Sequence, residues 1–222
     1  MKGYIDCLRY GHENGCRWDD NVAELAAAQG QLSCLQYVHE HGYEWSDNVC
    51  QLAARSGHLD CLRYAHENGC NLHNDTYLRA VEHGHLNCLR YLYENGCQWH
   101  PITTTIISMR GYLDCLKYAH ENGCLWHEDT IVYAIAKGHF DCLKYAHENS
   151  CGISENVCDV AAKYGRIDCL RYLHKNGYKW SEETCVQAAE HGHLDCLRYL
   201  HENGCPWLEN VCSKAALNGH LH

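Results

Sequence analysis

One cysteine recurs every 27 residues along the chain, and this period constrains the fold more than any other feature of the sequence. No insertion breaks the register, and eight such units account for nearly all of the 222 residues. A fixed period of this length is typical of repeat proteins, in which similar units stack in a line. We therefore expect one repeat array over residues 1–222, with a partial unit at each end. The ladder cysteines are Cys7, Cys34, Cys61, Cys88, Cys115, Cys142, Cys169 and Cys196.

Each unit contains a helix around its ladder cysteine. In residues 59–68 the apolar side chains cover a broad arc of the helix, and only Asp60, Arg63 and Glu67 form a polar strip. Such a helix is expected to be buried on most sides, as it would be between neighbouring repeats. Gly69 follows the helix and favours a left-handed C-terminal cap.

A second, alanine-rich helix precedes each ladder helix. In one unit it runs from near Ser46 to Arg55, includes Ala53 and Ala54, and ends before Gly57. Small side chains let a neighbouring helix approach closely, and the glycine turns the chain into the next helix. Serines near the helix starts are suited to N-caps. The predicted N-caps are Ser46, Ser154 and Ser181.

Residues 53–70, AARSGHLDCLRYAHENGC, combine two alanines, a Gly-His turn, a second helix and a closing glycine. This segment resembles the helix-turn-helix part of an ankyrin repeat, and the resemblance covers nearly the whole chain. Ankyrin units usually have about 33 residues, and the stretch missing here falls between Trp45 and Ser46, where ankyrins carry a β-hairpin finger. The sequence is similar to the finger-less, Cys- and His-rich ankyrin arrays of giant viruses and some protists. The resemblance implies an all-α, ankyrin-like solenoid of about eight repeats without fingers, acting as a protein-interaction scaffold without catalysis.

The charge and hydropathy of the chain exclude other classes of partner. Acidic side chains outnumber basic ones by 28 to 18, a net charge of −10, so nucleic-acid binding is disfavoured. No apolar run approaches the roughly 18 residues of a membrane span, and the first residues lack the apolar core of a secretory signal. We expect a cytoplasmic protein, in the host cytoplasm if it is viral, with a protein partner and no cofactor.

Metal binding is the main alternative, because some units combine Cys and His residues of the types that bind zinc. Other units lack one or more of these residues, and the chain contains no Cys-x-x-Cys motif to anchor a site. Buried thiols can also replace small apolar side chains in a core. We favour core thiols and keep a zinc-stabilised repeat array as the alternative. The two complete sets are Cys142, His147, Cys151 and Cys158, and Cys196, His201, Cys205 and Cys212.

Disulfides and catalysis are both disfavoured by the repeat. Equivalent cysteines of adjacent units should be about 8–10 Å apart, beyond the roughly 7 Å Cα separation that a disulfide spans. We therefore expect free thiols in a reducing compartment. Cys, His and Asp recur in every unit, whereas a catalytic site is normally a single asymmetric constellation, so we expect no enzyme.

Two aromatic series follow the same period. The tyrosine three residues after each ladder cysteine borders the buried arc, and a tryptophan follows the glycine cap in most units. A stacking ladder for nucleic-acid bases is one interpretation. Packing between repeats is the stronger one, because the net charge opposes a polyanion. The tryptophans are Trp18, Trp45, Trp99, Trp126, Trp180 and Trp207.

Recognition residues are expected where the repeats differ, because the shared positions are needed for stacking. The variable positions lie on the alanine-rich helices, 17, 18, 21 and 22 residues after a ladder cysteine. The matching positions line the concave groove of ankyrins, as the resemblance implies. An alternative is that Ile106 and Val132 are partly buried against the next unit. The predicted partner-binding residues are Leu78, Arg79, Glu82, Thr105, Ile106, Met109, Arg110, Val132, Tyr133 and Lys137.

Both ends of the sequence lie inside a unit, and neither shows the polar capping repeat that arrays generally need. Two interpretations follow, a fragment of a longer array or self-association end to end.

Overall fold

The computed structural model describes residues 2–219, with side chains from residue 5 onward. Across these residues the chain forms sixteen helices and no strand, which confirms the all-α fold without β-hairpin fingers. The ladder helices are α1 (Lys2–Glu13), α3 (Leu32–Glu40), α5 (Leu59–Glu67), α7 (Leu86–Glu94), α9 (Leu113–Glu121), α11 (Phe140–Glu148), α13 (Ile167–Lys175) and α15 (Leu194–Glu202). The even-numbered helices are α2 (Val22–Ala28), α4 (Asn48–Ser56), α6 (Asn74–His83), α8 (Thr103–Arg110), α10 (Thr130–Lys137), α12 (Val157–Lys163), α14 (Glu182–Glu190) and α16 (Val211–Leu217).

The chain divides into two compact units between His100 and Pro101. The N-terminal unit contains α1 to α7, and the C-terminal unit contains α8 to α16. In each unit the even-numbered helices pack side by side in chain order, and the ladder helices form a second row against them. This is the helix-pair repeat that the 27-residue period predicts.

Small and apolar side chains of both rows fill the core. On the even-numbered helices Ala53 and Ala54 are fully buried, and on the ladder helices Cys61, Leu62 and Ala65 are buried. Because the same positions recur in every 27-residue repeat, each buried side chain packs against a similar side chain of the neighbouring repeat. All ladder cysteines except the exposed Cys7 therefore serve as small core residues.

The ladder helices end in left-handed caps, as predicted. Gly69 has φ +96°, and the equivalent glycines also have positive φ. Ser150 replaces glycine in one repeat and keeps a positive φ of 63°. The repeat therefore requires a left-handed backbone conformation at this position, whether the residue is glycine or serine.

In several repeats the second glycine has a further role that the sequence pattern did not reveal. Gly57 has φ +78°, and a Cβ atom there would lie 2.5 Å from Nδ1 of His85 in the next repeat. The same ring donates a hydrogen bond from Nε2 to the carbonyl oxygen of Arg55, 2.9 Å away. The histidine of this Gly-His turn therefore makes a contact between repeats. It packs against the glycine, and bonds to the last turn of the even-numbered helix, in the repeat before it.

Only one of the three predicted serine caps is correct. Ser181 caps α14 and accepts a hydrogen bond from the backbone N–H of Glu183. Ser46 and Ser154 lie further from their helices, because α4 begins at Asn48 and α12 at Val157.

In the part of the chain that the structure describes, no helix has the length and apolar character needed to cross a bilayer.

Candidate protein-interaction surface

We define the variable face as the positions 17, 18, 21 and 22 residues after each ladder cysteine on the even-numbered helices. The opposite side of these helices is fixed by the core, since the alanines there are buried against neighbouring helices. The variable face carries none of the repeated packing residues. Its side chains are therefore free to differ without disturbing the stack.

In the C-terminal unit the variable face of α8 and α10 is apolar. Ile106 and Met109 of α8 and Val132 of α10 are half-buried, and the ring of Tyr133 is exposed. Ile106 and Tyr133 occupy equivalent positions in adjacent repeats, on helices that pack side by side. Ile106 and Val132 are thus partly packed, in agreement with the alternative stated above, and both side chains also keep accessible surface. Arg110 and Lys137 are also exposed on these two helices.

Thr105 does not belong to the accessible surface, although the sequence placed it there. Its side chain is 5 % exposed, and its hydroxyl has no hydrogen-bond partner among the described residues. Val186, at the equivalent position of α14, is also buried. Position 17 is therefore accessible only in some repeats.

The other three predicted residues lie on α6 in the N-terminal unit. Leu78 is half-buried and Arg79 is exposed. Arg79 Nη1 lies 3.1 Å from Oε2 of Glu82, so these two charges form an ion pair on one helix. The ten predicted residues are thus divided between the two units.

A further group on the N-terminal unit was not predicted. A shallow pocket between α4 and α6 is lined by polar and cationic side chains around Leu52. Arg55 and Arg79 both reach it from successive repeats. Comparison of position 21 with position 18 in the next repeat could have indicated this pairing. The lining residues are Asn48, Gln51, Leu52, Arg55, Arg79 and His83.

The aromatic series pack between repeats, as predicted. The rings of His39 and Trp45 stack with centroids 4.1 Å apart, and Tyr64 of the next repeat meets both at its edge. A hydrogen bond of 3.1 Å also joins His39 Nδ1 to the Tyr64 hydroxyl. Equivalent His–Tyr hydrogen bonds recur in both units, for example between His147 and Tyr172 at 2.8 Å. These rings are therefore structural contacts.

Buried thiols line the core, and their protonation follows from burial. Burial raises the pKa of Cys61, Cys88, Cys115 and Cys142 to about 11, because the charged thiolate is costly in an apolar environment. These ladder thiols are free and neutral at ordinary pH. They are poor nucleophiles, since the thiolate is the reactive form.

One pair of cysteines contradicts the expectation of free thiols throughout. Cys50 and Cys70 form a disulfide, with Cα atoms 6.4 Å apart. Cys50 lies on an even-numbered helix and Cys70 follows the next ladder helix. The prediction compared equivalent cysteines of adjacent units, whereas Cys50 and Cys70 occupy different positions in their repeats.

The structure does not support the zinc alternative. Across the described residues no three His, Cys, Asp or Glu side chains come together in a way that could hold a metal ion. In the first proposed set, Nδ1 of His147 is hydrogen-bonded to Tyr172, while Cys142, Cys151 and Cys158 are buried. In the second set Cys212 is exposed. Nδ1 of His201 there accepts a hydrogen bond from Trp207 Nε1.

Comparison with known proteins identifies the repeat. Residues 23–102 match the family model for ankyrin repeats, in three copies. Residues 23–102 therefore carry ankyrin repeats, and helix pairs recur on the same 27-residue period over the rest of the described chain. Ankyrin repeats in general mediate protein–protein interaction.

Among solved structures, the chain is similar to the ankyrin repeat domain of human ASB11, with 21% sequence identity and a TM-score of 0.40. The match covers 83% of this chain and 84% of that one. No curated protein sequence matches the chain.

Proposed function

We propose that this chain is a cytoplasmic scaffold without catalytic activity that binds a partner protein through the variable face of its even-numbered helices. The observation that carries the proposal is the apolar face of α8 and α10. Tyr133 is 39 % exposed there, beside the half-buried Ile106, Met109 and Val132. Exposed aromatic and apolar side chains with a charged rim are typical of the energetically dominant part of a protein interface.

The structural setting supports this use of the face. The layer beneath it is fixed by buried residues such as Ile107, Ala134 and Ile135. A rigid support of this kind lowers the entropy lost on binding, because little has to become ordered. Arg110 and Lys137 supply charge at the edge, where it contributes to specificity and association rate.

The test is the double variant Met109→Ala with Tyr133→Ala. A partner is captured with the full-length chain, identified and purified, and its affinity is measured by isothermal titration calorimetry. We expect the double variant to weaken binding by at least about tenfold, the effect of losing about 1.4 kcal/mol. Circular dichroism should show unchanged helix content, because both side chains are accessible.

The matched control is the double variant Lys144→Ala with Arg198→Ala, whose side chains are exposed on the ladder helices α11 and α15. It should bind the partner like the unchanged chain. Equal affinity of all three proteins, or an equal loss in the control, would exclude the variable face as the binding surface. Light scattering of the purified chain over a concentration series tests self-association separately.

A further inference from the structure

The pocket on the variable face of the N-terminal unit has an excess of positive charge. Arg55 of α4 and Arg79 of α6 both line it, with the imidazole of His83 beside them. Across residues 5–219, the only carboxylate in an ion pair with either guanidinium is that of Glu82, which pairs with Arg79. One carboxylate therefore faces two guanidinium groups, in a chain whose net charge is −10.

Arg55 is held in place without being neutralised. Its Nε donates a hydrogen bond to Nε2 of His83 at 3.3 Å, so this histidine nitrogen is the unprotonated one. Its backbone carbonyl accepts the hydrogen bond from His85 described above. Both contacts come from the next repeat, and together they fix the end of α4 and the direction of the guanidinium. The terminal Nη groups remain available for a ligand.

The acidic groups of neighbouring segments have other partners. Ser46 Oγ donates a hydrogen bond of 3.0 Å to Oε1 of Glu24 on α2. The carboxylate of Asp47 accepts hydrogen bonds from the backbone N–H of Asn71 and from His73 Nε2, each 2.8 Å long. Neither acid lines the pocket. No carboxylate among the described residues therefore forms an ion pair with Arg55, and its exposed guanidinium is accessible to an acidic group from outside the chain.

The uncharged part of the pocket suits a carboxylate on a short apolar stem. Asn48 and Gln51 present side-chain amides, which can donate hydrogen bonds to carboxylate oxygens. Leu52 between them is half-buried and offers an apolar contact for methylene groups. A guanidinium can bind a carboxylate through two parallel hydrogen bonds, which gives geometric selectivity as well as affinity.

We propose that this pocket binds a Glu or Asp side chain from an acidic segment of the partner protein. The inference rests on the proposed function, since it names the chemistry of the partner at one part of the variable face. It also gives the N-terminal unit a different specificity from the apolar face of the C-terminal unit.

The experiment uses a fluorescein-labelled octaglutamate peptide and the full chain, with binding followed by fluorescence anisotropy at low salt. Octaglutamine of the same length is the neutral probe. We expect saturable binding of octaglutamate only, because its carboxylates can pair with the guanidinium groups of the pocket and the neutral amides of octaglutamine cannot. Higher salt should weaken the binding, since partly exposed charge pairs are screened.

Arg55→Gln and Arg79→Gln should each weaken octaglutamate binding by about tenfold, and Arg79→Lys should lose less than Arg79→Gln, because it keeps the charge but not the paired donors. The matched controls are Arg110→Gln and Lys163→Gln, at positions 22 and 21 of repeats in the C-terminal unit. These controls should leave the affinity unchanged. All four arginine and lysine side chains are exposed, so the variants are expected to fold, and circular dichroism checks this.

Absence of saturable octaglutamate binding, or an equal loss in the control variants, would overturn the assignment of this pocket. The double variant Met109→Ala with Tyr133→Ala should bind octaglutamate normally. Its loss of partner binding therefore tests the proposed function, while octaglutamate tests the pocket, and either can fail alone.

Discussion

The variable faces of the two units differ in chemistry although their helices are built alike. In the N-terminal unit α4 and α6 present Arg55 and Arg79 around a polar pocket. In the C-terminal unit α8 and α10 present Met109 and Tyr133 at related positions. The buried sides of the same helices carry small or apolar residues in both units. The comparison shows that the fold depends on the repeated positions and leaves the others free to acquire different binding chemistry.

The largest expected difference between the units arises at alkaline pH. Burial raises the pKa of more thiols in the C-terminal unit than in the N-terminal unit. In the N-terminal unit the thiols raised to about 11 are Cys61 and Cys88. In the C-terminal unit they are Cys115, Cys124, Cys142, Cys151, Cys158 and Cys196, with Cys169 at about 12.

An unfolded thiol releases its proton near pH 9, whereas the folded chain keeps it until about pH 11. Stability from these groups is therefore complete below pH 9 and is lost as the pH rises toward 11. The expected loss is about 1.4 kcal/mol per pH unit for each thiol. Urea unfolding at pH 8, 9 and 10, with a reductant, measures the slope.

Cys142→Ala should make the pH slope shallower, while Cys7→Ala, at an exposed thiol, should not. Because the C-terminal unit holds more of these thiols, it should unfold first as the pH rises. An unchanged urea midpoint between pH 8 and pH 10 would contradict the role of the thiols.

A smaller but still large effect is expected at the Gly-His contact, which should be the same in both units. Gly57→Ala brings a Cβ to 2.5 Å from the His85 ring, and Gly111→Ala does the same with His139. Strain in the left-handed conformation and steric crowding together should cost about 2 to 5 kcal/mol in either unit. Thermal and urea unfolding measure the loss.

Gly42→Ala separates the two causes, since Gly42 has φ +84° but nothing within 4 Å of its Cβ position. It should show the conformational strain alone, about 1 to 2 kcal/mol. If Gly57→Ala costs no more than Gly42→Ala, the His85 ring does not crowd a side chain at position 57.

The smallest expected effect is on the stability of a Thr105 variant, which tests whether this residue belongs to the core or to the binding surface. Thr105→Val removes a buried hydroxyl without a hydrogen-bond partner and should stabilise the chain by about 1 kcal/mol. Partner binding should not change, because the side chain is buried. Chemical denaturation and calorimetry measure the two quantities.

Thr104→Val is the matched control, because its hydroxyl is hydrogen-bonded to Thr130 Oγ1 at 2.8 Å and accepts from the His127 backbone N–H. This substitution should destabilise the chain by about 1 kcal/mol. Opposite signs for the neighbouring threonines would confirm that the Thr104 hydroxyl is hydrogen-bonded and the Thr105 hydroxyl is not. Weaker partner binding by Thr105→Val would instead return Thr105 to the binding surface.

Much of the fold could be predicted from the sequence because the same helix pattern and capping glycine recur in nearly every repeat. The polar strip of residues 59–68 and the glycine at position 69 predict where a ladder helix lies and ends, and α5 with its cap agrees. The N-caps were less certain, since Ser46 and Ser154 lie two or three residues before their helices. A serine side chain near a helix start has several backbone and side-chain partners within reach.

Contacts between repeats were harder to predict. The contact of Gly57 with His85 and the disulfide between Cys50 and Cys70 each join residues from different repeats. Hydrogen bonds and disulfides depend on the direction and distance of both partners, and a period along the chain gives neither. The pocket around Arg55 was missed for the same reason.

The sequence by itself determined that helix pairs recur every 27 residues, which of their positions are shared, and which are free to vary. These properties follow from local helix preference and from a hydrophobic pattern that repeats along the chain. Only the tertiary structure decided that Thr105 is buried, that Tyr133 is exposed, and that Arg55 and Arg79 share one pocket. Exposure and charge pairing are set by the neighbouring helix in space, and its side chains differ from one repeat to the next.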